Sequence, residues 1–526
     1  MTEHDADIII IGAGHNSLTA ALYLQQAGLK VLLIERSHEP GGAAKTGEIL
    51  EPGFVHDRFA TNIGLFMGSR VYADFKDELH GNGFDVVAGR QPFSSVFPNR
   101  KCLRVYTDPE KTRQEFERYA PNDGRAWNGM ISYFGKVAPY LFPMLQMPMP
   151  SFKVAKQLWK TYRKLGYNEM ADLIRVLIMS PRSFLDERFE SPEAKALLSP
   201  WAFHLGLSPD CAGGATFSFL ESAADHLNGM ALSKGGAGKL IGALVKAVTD
   251  RKGELLLGQA VEGILIKNGT AVGVKTAEGR SFSAKRGVVA CVTPNQFIKL
   301  VNEKDLPESF VTKSKNYKFG PGSLMIHFTL DQPLQWEAAE DLSDSAYVHI
   351  APYMSNIAAT YSQIVEGLLP SSPLLVVAQQ SRIDTTRAPQ GKHVLWVQVR
   401  AFPGHPKGDS LGQIKVGNWD DMKQAIRDRV IEKIADYAPN IKTVIRKSVV
   451  YTPKDLEDEN PNIVGGDMVG GQQNLNQNFV FRPFPGWSRY RTPIKGLYLT
   501  GHSTWPGGGL NATSGHLAAM QLLKDQ

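Results

Sequence analysis

Cysteine is scarce. Cys102, Cys211 and Cys291 are the only three in 526 residues, and no two lie close together. That count excludes a disulfide framework, a zinc-ligand cluster and a reductase built on a paired redox dithiol. It fits a reducing, cytoplasmic setting. Long apolar runs are missing too: no stretch of about 18 apolar residues occurs, so nothing reads as a membrane span. The opening MTEHDAD is acidic and runs straight into IIII, so no secretory leader is expected. Charge of one sign is not in large excess, with a net of +6, which gives nucleic-acid binding little support. There is no internal repeat, no low-complexity segment, and no Ser-His-Asp or paired-carboxylate constellation. A second nucleotide fingerprint is also absent, so no separate NAD(P) domain is expected.

What is present starts at residue 7, with DIIIIGAGHNSLTAALYLQQAGLKVLLIER. Asp7 to Ile11 is an apolar β-branched run that reads as a buried parallel strand. Gly12 allows a tight turn, and Gly14 lets backbone amides approach a pyrophosphate at the start of a helix. Leu18, Ala21, Leu22 and Leu24 keep helical spacing, and Gly28 stops the helix. KVLLIER reads as a second strand ending in Glu35, 23 positions after Gly12. A carboxylate there suits the hydroxyls of an adenosine ribose and would repel a 2′-phosphate. The third glycine of the G-x-G-x-x-G pattern is replaced by Ser17. That glycine serves close helix–strand packing, and serine adds only a hydroxymethyl group.

The next segment holds the doublet Gly41-Gly42, and the chain closes on IKGLYLTGHSTWPGGGLNATSGHLAAMQLL. Together with the opening fingerprint and SFLDERFESPEAKALLS, these motifs resemble the FAD-dependent phytoene desaturase-related oxidoreductases. Those belong to the wider carotenoid desaturase and amine oxidase superfamily. The resemblance implies FAD as cofactor. It also implies a Rossmann-like α/β domain with the GG doublet, interleaved with an α+β substrate-binding domain. Carried over residue by residue, the FAD contacts are Gly12, Gly14, Asn16, Ser17, Glu35, Arg36, Gly41, Gly42, Ala43, Thr46 and Val261. Gly501, His502, Gly508, Gly509, Leu510 and Asn511 follow at the C-terminus, where a helix from about Asn511 would aim its dipole at the flavin. Many relatives have Arg where Ala43 stands, which weakens the analogy to amine oxidases. Trp505 stands where His is common, and His502 where an acid is common. These two are the catalytic candidates, with His502 the group for proton handling.

The middle segment SKGGAGKLIGALVKAVTD continues into a meander turned at Lys-Asn-Gly and a return strand, GVVACVTP. The chain therefore visits the cofactor domain at 1–95, 235–300 and 460–526, with substrate-domain segments 96–234 and 301–459 between. Residues 135–168 carry five Lys, one Arg and no acid. Lys153, Lys156, Lys160 and Arg163 share one helix face, beside Phe152, Leu158, Trp159, Tyr162 and Leu165. The preceding LFPMLQMPMP cannot be regular helix throughout. Residues 140–165 suit peripheral contact with an anionic membrane, or else a solvated basic face over a Met-lined lid. Phe479, Phe481, Phe484, Trp487 and Tyr490 either line the active site or seal the domain junction. The expected activity is dehydrogenation or desaturation, with hydride passing from an apolar, isoprenoid or cyclic substrate to the flavin. The electron acceptor is left open. An oxygen-using amine oxidase and a flavin-free lipid-binding escort are the alternatives.

Overall fold

A computed structural model describes residues 2–526. Its first sheet has seven strands, with Thr2–Ile11 at the centre pairing in parallel with Val31–Ile34 on one side and Ser281–Ala290 on the other. Leu497–Leu499 pairs in parallel with Ser281–Ala290, and Glu254–Leu256 extends the opposite edge. The inner residues Ile8, Ile9 and Ile10 are fully buried on both faces, as a near-continuous β-branched run dictates. Helix His15–Gln26 covers one face, packed on helices Ala237–Asp250 and Thr513–Asp525.

The meander forms at Asn268-Gly269, where both residues have positive φ (51° and 72°), the geometry a two-residue type I′ turn needs. The expected separate return strand is instead continuous with the last meander strand, Ser281–Ala290. It pairs antiparallel at its start and parallel along its length.

The second sheet also has seven strands, in the order Ile445–Tyr451, Gly322–Leu330, His393–Phe402, Leu374–Ala378, Tyr347–Ile350, Phe93–Phe97 and Lys101–Val105. A domain boundary at residue 95 therefore cuts a strand that belongs to this sheet. Helix Trp419–Ala435 covers one face through Met422, Ile426, Val430 and Ile434.

Two helices carry the Met- and Pro-rich stretch and the basic face, and the stretch is helical only in part, as expected. Asp123–Leu145 continues through Pro139 and Pro143, so half of the Met- and Pro-rich stretch is helical despite the lost amide donors. Phe152–Ile178 is broken at Gly166 (φ 79°, ψ 177°), which isolates a basic first half.

Candidate functional site

At the carboxyl ends of the parallel strands lies a cleft of about 480 Å3. The backbone builds it. The Gly12 amide donates to Ile34 O at 2.8 Å, Cys291 N to Ile11 O at 3.1 Å, and Thr500 N to Ala290 O at 3.0 Å, so the strands end level. Helix His15–Gln26 starts at this rim with no acidic residue in its first turn, which leaves its amide end free for an anion. The doublet seats against it. Gly42 adopts a left-handed φ of 59°, which favours glycine, and its backbone lies beside Gly14.

Glu35 sits at the tip of the second strand with its carboxylate fixed. Oε2 accepts from Ala13 N and Oε1 from Ser37 N, each at 2.8 Å. Two oriented oxygens with spare lone pairs suit a vicinal diol. Arg36 and the buried Lys45 add positive charge to the lining, Lys45 also reaching Ser37 Oγ at 3.1 Å and Glu459 at 2.6 Å. The donors, the carboxylate and the cavity fit a dinucleotide.

Similarity to known proteins decides which one. The model of the flavin containing amine oxidoreductase family matches residues 18–523. The chain belongs to that family. It is 26% identical to the rat pyridine nucleotide-disulfide oxidoreductase domain-containing protein 2, over 99% of this chain and 93% of the relative. It is also 26% identical to a limonene dehydrogenase component of Castellaniella defragrans, over 99% and 94% of the two chains. Among solved structures, an oxidoreductase from Methanosarcina mazei shares the fold with a TM-score of 0.61 at 16% identity, covering 99% of this chain and 100% of that one. The protein is a flavin-dependent enzyme and its cofactor is FAD.

In this family member Gly12, Gly14, Asn16, Ser17, Glu35, Arg36, Gly41, Gly42, Ala43, Val261, Gly501 and His502 all line the cleft. Glu35 would hold the ribose, and the start of helix His15–Gln26 the pyrophosphate. Asn16 also ties the first helix to the last, its Oδ1 accepting from Gly515 N at 3.0 Å.

Other candidates lie elsewhere. Thr46 is a latch, donating to Asp57 Oδ1 at 2.6 Å and accepting from Gly238 N at 2.8 Å. Trp505 is buried behind the cleft, its Nε1 donating to Met147 O at 3.0 Å and its ring against Phe479. That burial withdraws it as a catalytic candidate. Gly508 and Gly509 press on Val469 and Leu65, and Leu510 enters the core of the first domain. Asn511 caps the last helix through Thr513 N, so that helix begins at Thr513. None of these four lines the cleft.

The aromatic segment seals the junction. Phe484 and Trp487 pack on Phe310, Tyr490 packs with Trp505 and Met149, and none of the five rings reaches the cleft. What that segment does contribute is Asp467, Met468 and Gly470, together with the upstream Asn460 and Asn462. Sequence reasoning missed them because the rings drew attention; the amide- and glycine-rich composition was the signal.

His502 lies beside His15 at the start of the first helix, with ring centroids 5.2 Å apart, and burial holds His15 well below the usual imidazole range. Burial, then Arg482, pushes His502 down to about 4, and burial pushes the Cys291 thiol up to about 11. Both are neutral at pH 7. Asp467 is committed to three backbone amides, Gly320, Val469 and Gly471, at 2.7–2.9 Å.

Proposed function

We propose that the enzyme is a dehydrogenase that takes hydride from an unactivated C–H bond of an apolar substrate. The observation behind it is the cleft lining, where His502 and Cys291 are both held neutral. When bound, FAD supplies the two-electron acceptor. The chain's residues bind and orient the cofactor and substrate. His502, neutral, offers a hydrogen bond rather than a charge. The dehydrogenase relative and the desaturase-type closing motif support the same reading, and Ala43 in place of arginine argues against amine oxidation.

The test is anaerobic bleaching of the FAD-loaded protein by cyclic alkenes, polyenes and acyl chains, set against a panel of amines. Bleaching by the former supports the proposal. Bleaching by amines alone, with peroxide released on readmitting oxygen, refutes it.

We also propose that residues 152–165 rest on an anionic membrane surface. Phe152, Trp159 and Tyr162 are exposed, Phe152 at 85% and Trp159 at 61%. Lys153, Lys156, Lys160, Arg163 and Lys164 are exposed beside them, and among the described residues none forms an ion pair. Aromatic tips with unpaired cations fit a headgroup boundary. Flotation with phosphatidylglycerol vesicles should carry the protein, salt should release it, and Phe152→Ser with Trp159→Ser should abolish it. Equal flotation with pure phosphatidylcholine would remove the electrostatic part of the reading.

A further inference from the structure

The second sheet has two unlike faces. Leu324, Ile326 and Phe328, with Leu395, Val397 and Val399, meet helix Trp419–Ala435 in an entirely apolar layer. The alternate residues of the same strands, in register, are Ser323 opposite Arg400, Met325 opposite Gln398, and His327 opposite Trp396. Tyr347 and His349 continue this face on the strand Tyr347–Ile350. This studded face turns toward the cofactor cleft. Trp396 Nε1 donates to Phe59 O at 3.2 Å, and His327 Nε2 to Arg58 O at 3.2 Å. Gln398 Nε2 meets the sulfur of Met468, a cleft-lining residue, at 3.3 Å.

Within this face Arg400 is unmatched. Two fully buried arginines show what the fold does with a guanidinium it intends for itself, whereas Arg400 is partly exposed. Arg387 lies between Asp57 and Asp384, and Arg482 donates to the carbonyls of Val469, Gly470, Gln472, Gln477 and His502. Arg400 has neither arrangement. Among the described residues it forms no ion pair, its hydrogen bond is a long 3.4 Å contact from Nη1 to Ser323 Oγ, and its buried Nε meets no acceptor. A guanidinium carries five donors in a planar fork, so most of this one is unused.

The titratable groups around Arg400 are mostly held neutral, and Asp467 is bound by three backbone amides. His204 and His349 touch through Nε2 atoms 3.0 Å apart, and burial keeps both neutral. Burial also pushes up the carboxyls of Glu221 and Asp225 on helix Ala215–Asn228, and that of Asp467. Tyr347 is stacked flat on Trp396, with centroids 5.7 Å apart, and its hydroxyl is pushed far toward the neutral form. A dianion would leave a buried charge uncompensated. A monoanion would not.

We propose that Arg400 anchors the carboxylate head of an apolar substrate whose chain runs past Met468 into the cleft. The word substrate rests on the dehydrogenase reading above; the anchoring does not.

The test titrates FAD-loaded protein with decanoate, decanol and decyl phosphate, following the flavin spectrum and the heat of binding. Decanoate should bind at least about tenfold more tightly than decanol. Arg400→Gln should remove that margin without changing decanol affinity, and Arg400→Lys should keep part of it. FAD content and melting temperature report whether the variants fold. If Arg400→Gln fails to fold, Gln398→Glu serves instead, placing a competing carboxylate beside the guanidinium and weakening decanoate alone. Equal affinity for decanoate and decanol overturns the anchor, as does an unchanged margin in the variants. Tighter binding of decyl phosphate overturns the choice of a monoanion. If no C–H donor bleaches the flavin yet the carboxylate margin stands, only the dehydrogenase reading falls.

Discussion

Replacing Glu35 by Gln separates two things its carboxylate does. In the parent, one oxygen accepts from Ala13 N and the other from Ser37 N, both at 2.8 Å. Glutamine keeps one acceptor and turns the other into an NH2 facing an N–H. The buried donor left unmatched costs about 1–3 kcal/mol. That cost appears in the protein without FAD, as a lower melting temperature. A second loss appears only with FAD, because a charge-assisted bond to the ribose becomes a neutral one of about half the strength. The first cost is common to the free and FAD-bound protein and cancels in binding, so the second alone, about 1–1.5 kcal/mol, raises the FAD Kd by roughly 5–10-fold. Apo-protein is titrated with FAD by fluorescence quenching, and apo-protein melting is recorded in parallel. A Glu35→Gln protein with the parent's Kd would show that the carboxylate does not face the ribose. A raised Kd with unchanged apo melting would show instead that the two backbone bonds carry little.

Ser17 is fully buried with Oγ 3.6 Å from where a Cβ on Gly12 would sit, so Ser17→Leu should abolish FAD binding while Ser17→Gly leaves it nearly unchanged; FAD retention after gel filtration decides. Arg387→Met should destabilise the protein by about 3–5 kcal/mol, because it strands Asp57 and Asp384 in the interior. An unchanged urea midpoint would contradict that. Burial pushes His56 down to about 4 and His349 to about 3. Below about pH 6.5 the unfolded chain therefore binds more protons, and stability, full above that pH, falls as the pH drops toward about 4. A urea midpoint flat between neutral and mildly acidic pH would refute this.

The sequence was most legible where structure is local. The strand from Asp7, the turn and the helix to Gln26 follow from β-branched and helical spacing, and the hairpin follows from the torsional tolerance of Asn268-Gly269; the strand's earlier start at Thr2 was not legible. The basic half of helix Phe152–Ile178 was legible for the same reason. What escaped depends on partners far along the chain. Asp57 meets Arg387 across 330 positions, so no spacing announces that the turn after the GG doublet is bolted to the substrate domain. Trp505 carries no mark to show that its ring faces Met147 rather than the cleft. Pro139 and Pro143 stay inside a helix because their usual helix-breaking cost is offset by packing: Phe134, Val137, Ala138 and Leu141 are buried on the same helix.

The most consequential non-local contact joins the two ends of the chain. Asn16 accepts from Gly515 N, and a Cβ at 515 would stand 2.0 Å from Asn16 O, so the first and last helices cross at backbone contact. Just before that crossing Ser514 Oγ accepts from Gly501 N and meets the hydroxyls of Thr500 and Thr504 at 2.8 and 2.5 Å. The start of the first helix is therefore held by residues near 16, and the loop of Gly501 and His502 by residues near 514, and the two sets touch. A cofactor spanning the cleft bridges segments some 500 positions apart only because this crossing has already brought them together. Glycine at 515 follows from that need for close approach, and the tolerance of serine at 17 fits it, since there the helix only has to stay near the strand. The fingerprint's missing glycine is thus a difference in packing, with the anion-binding amide end of the helix left where the cleft requires it.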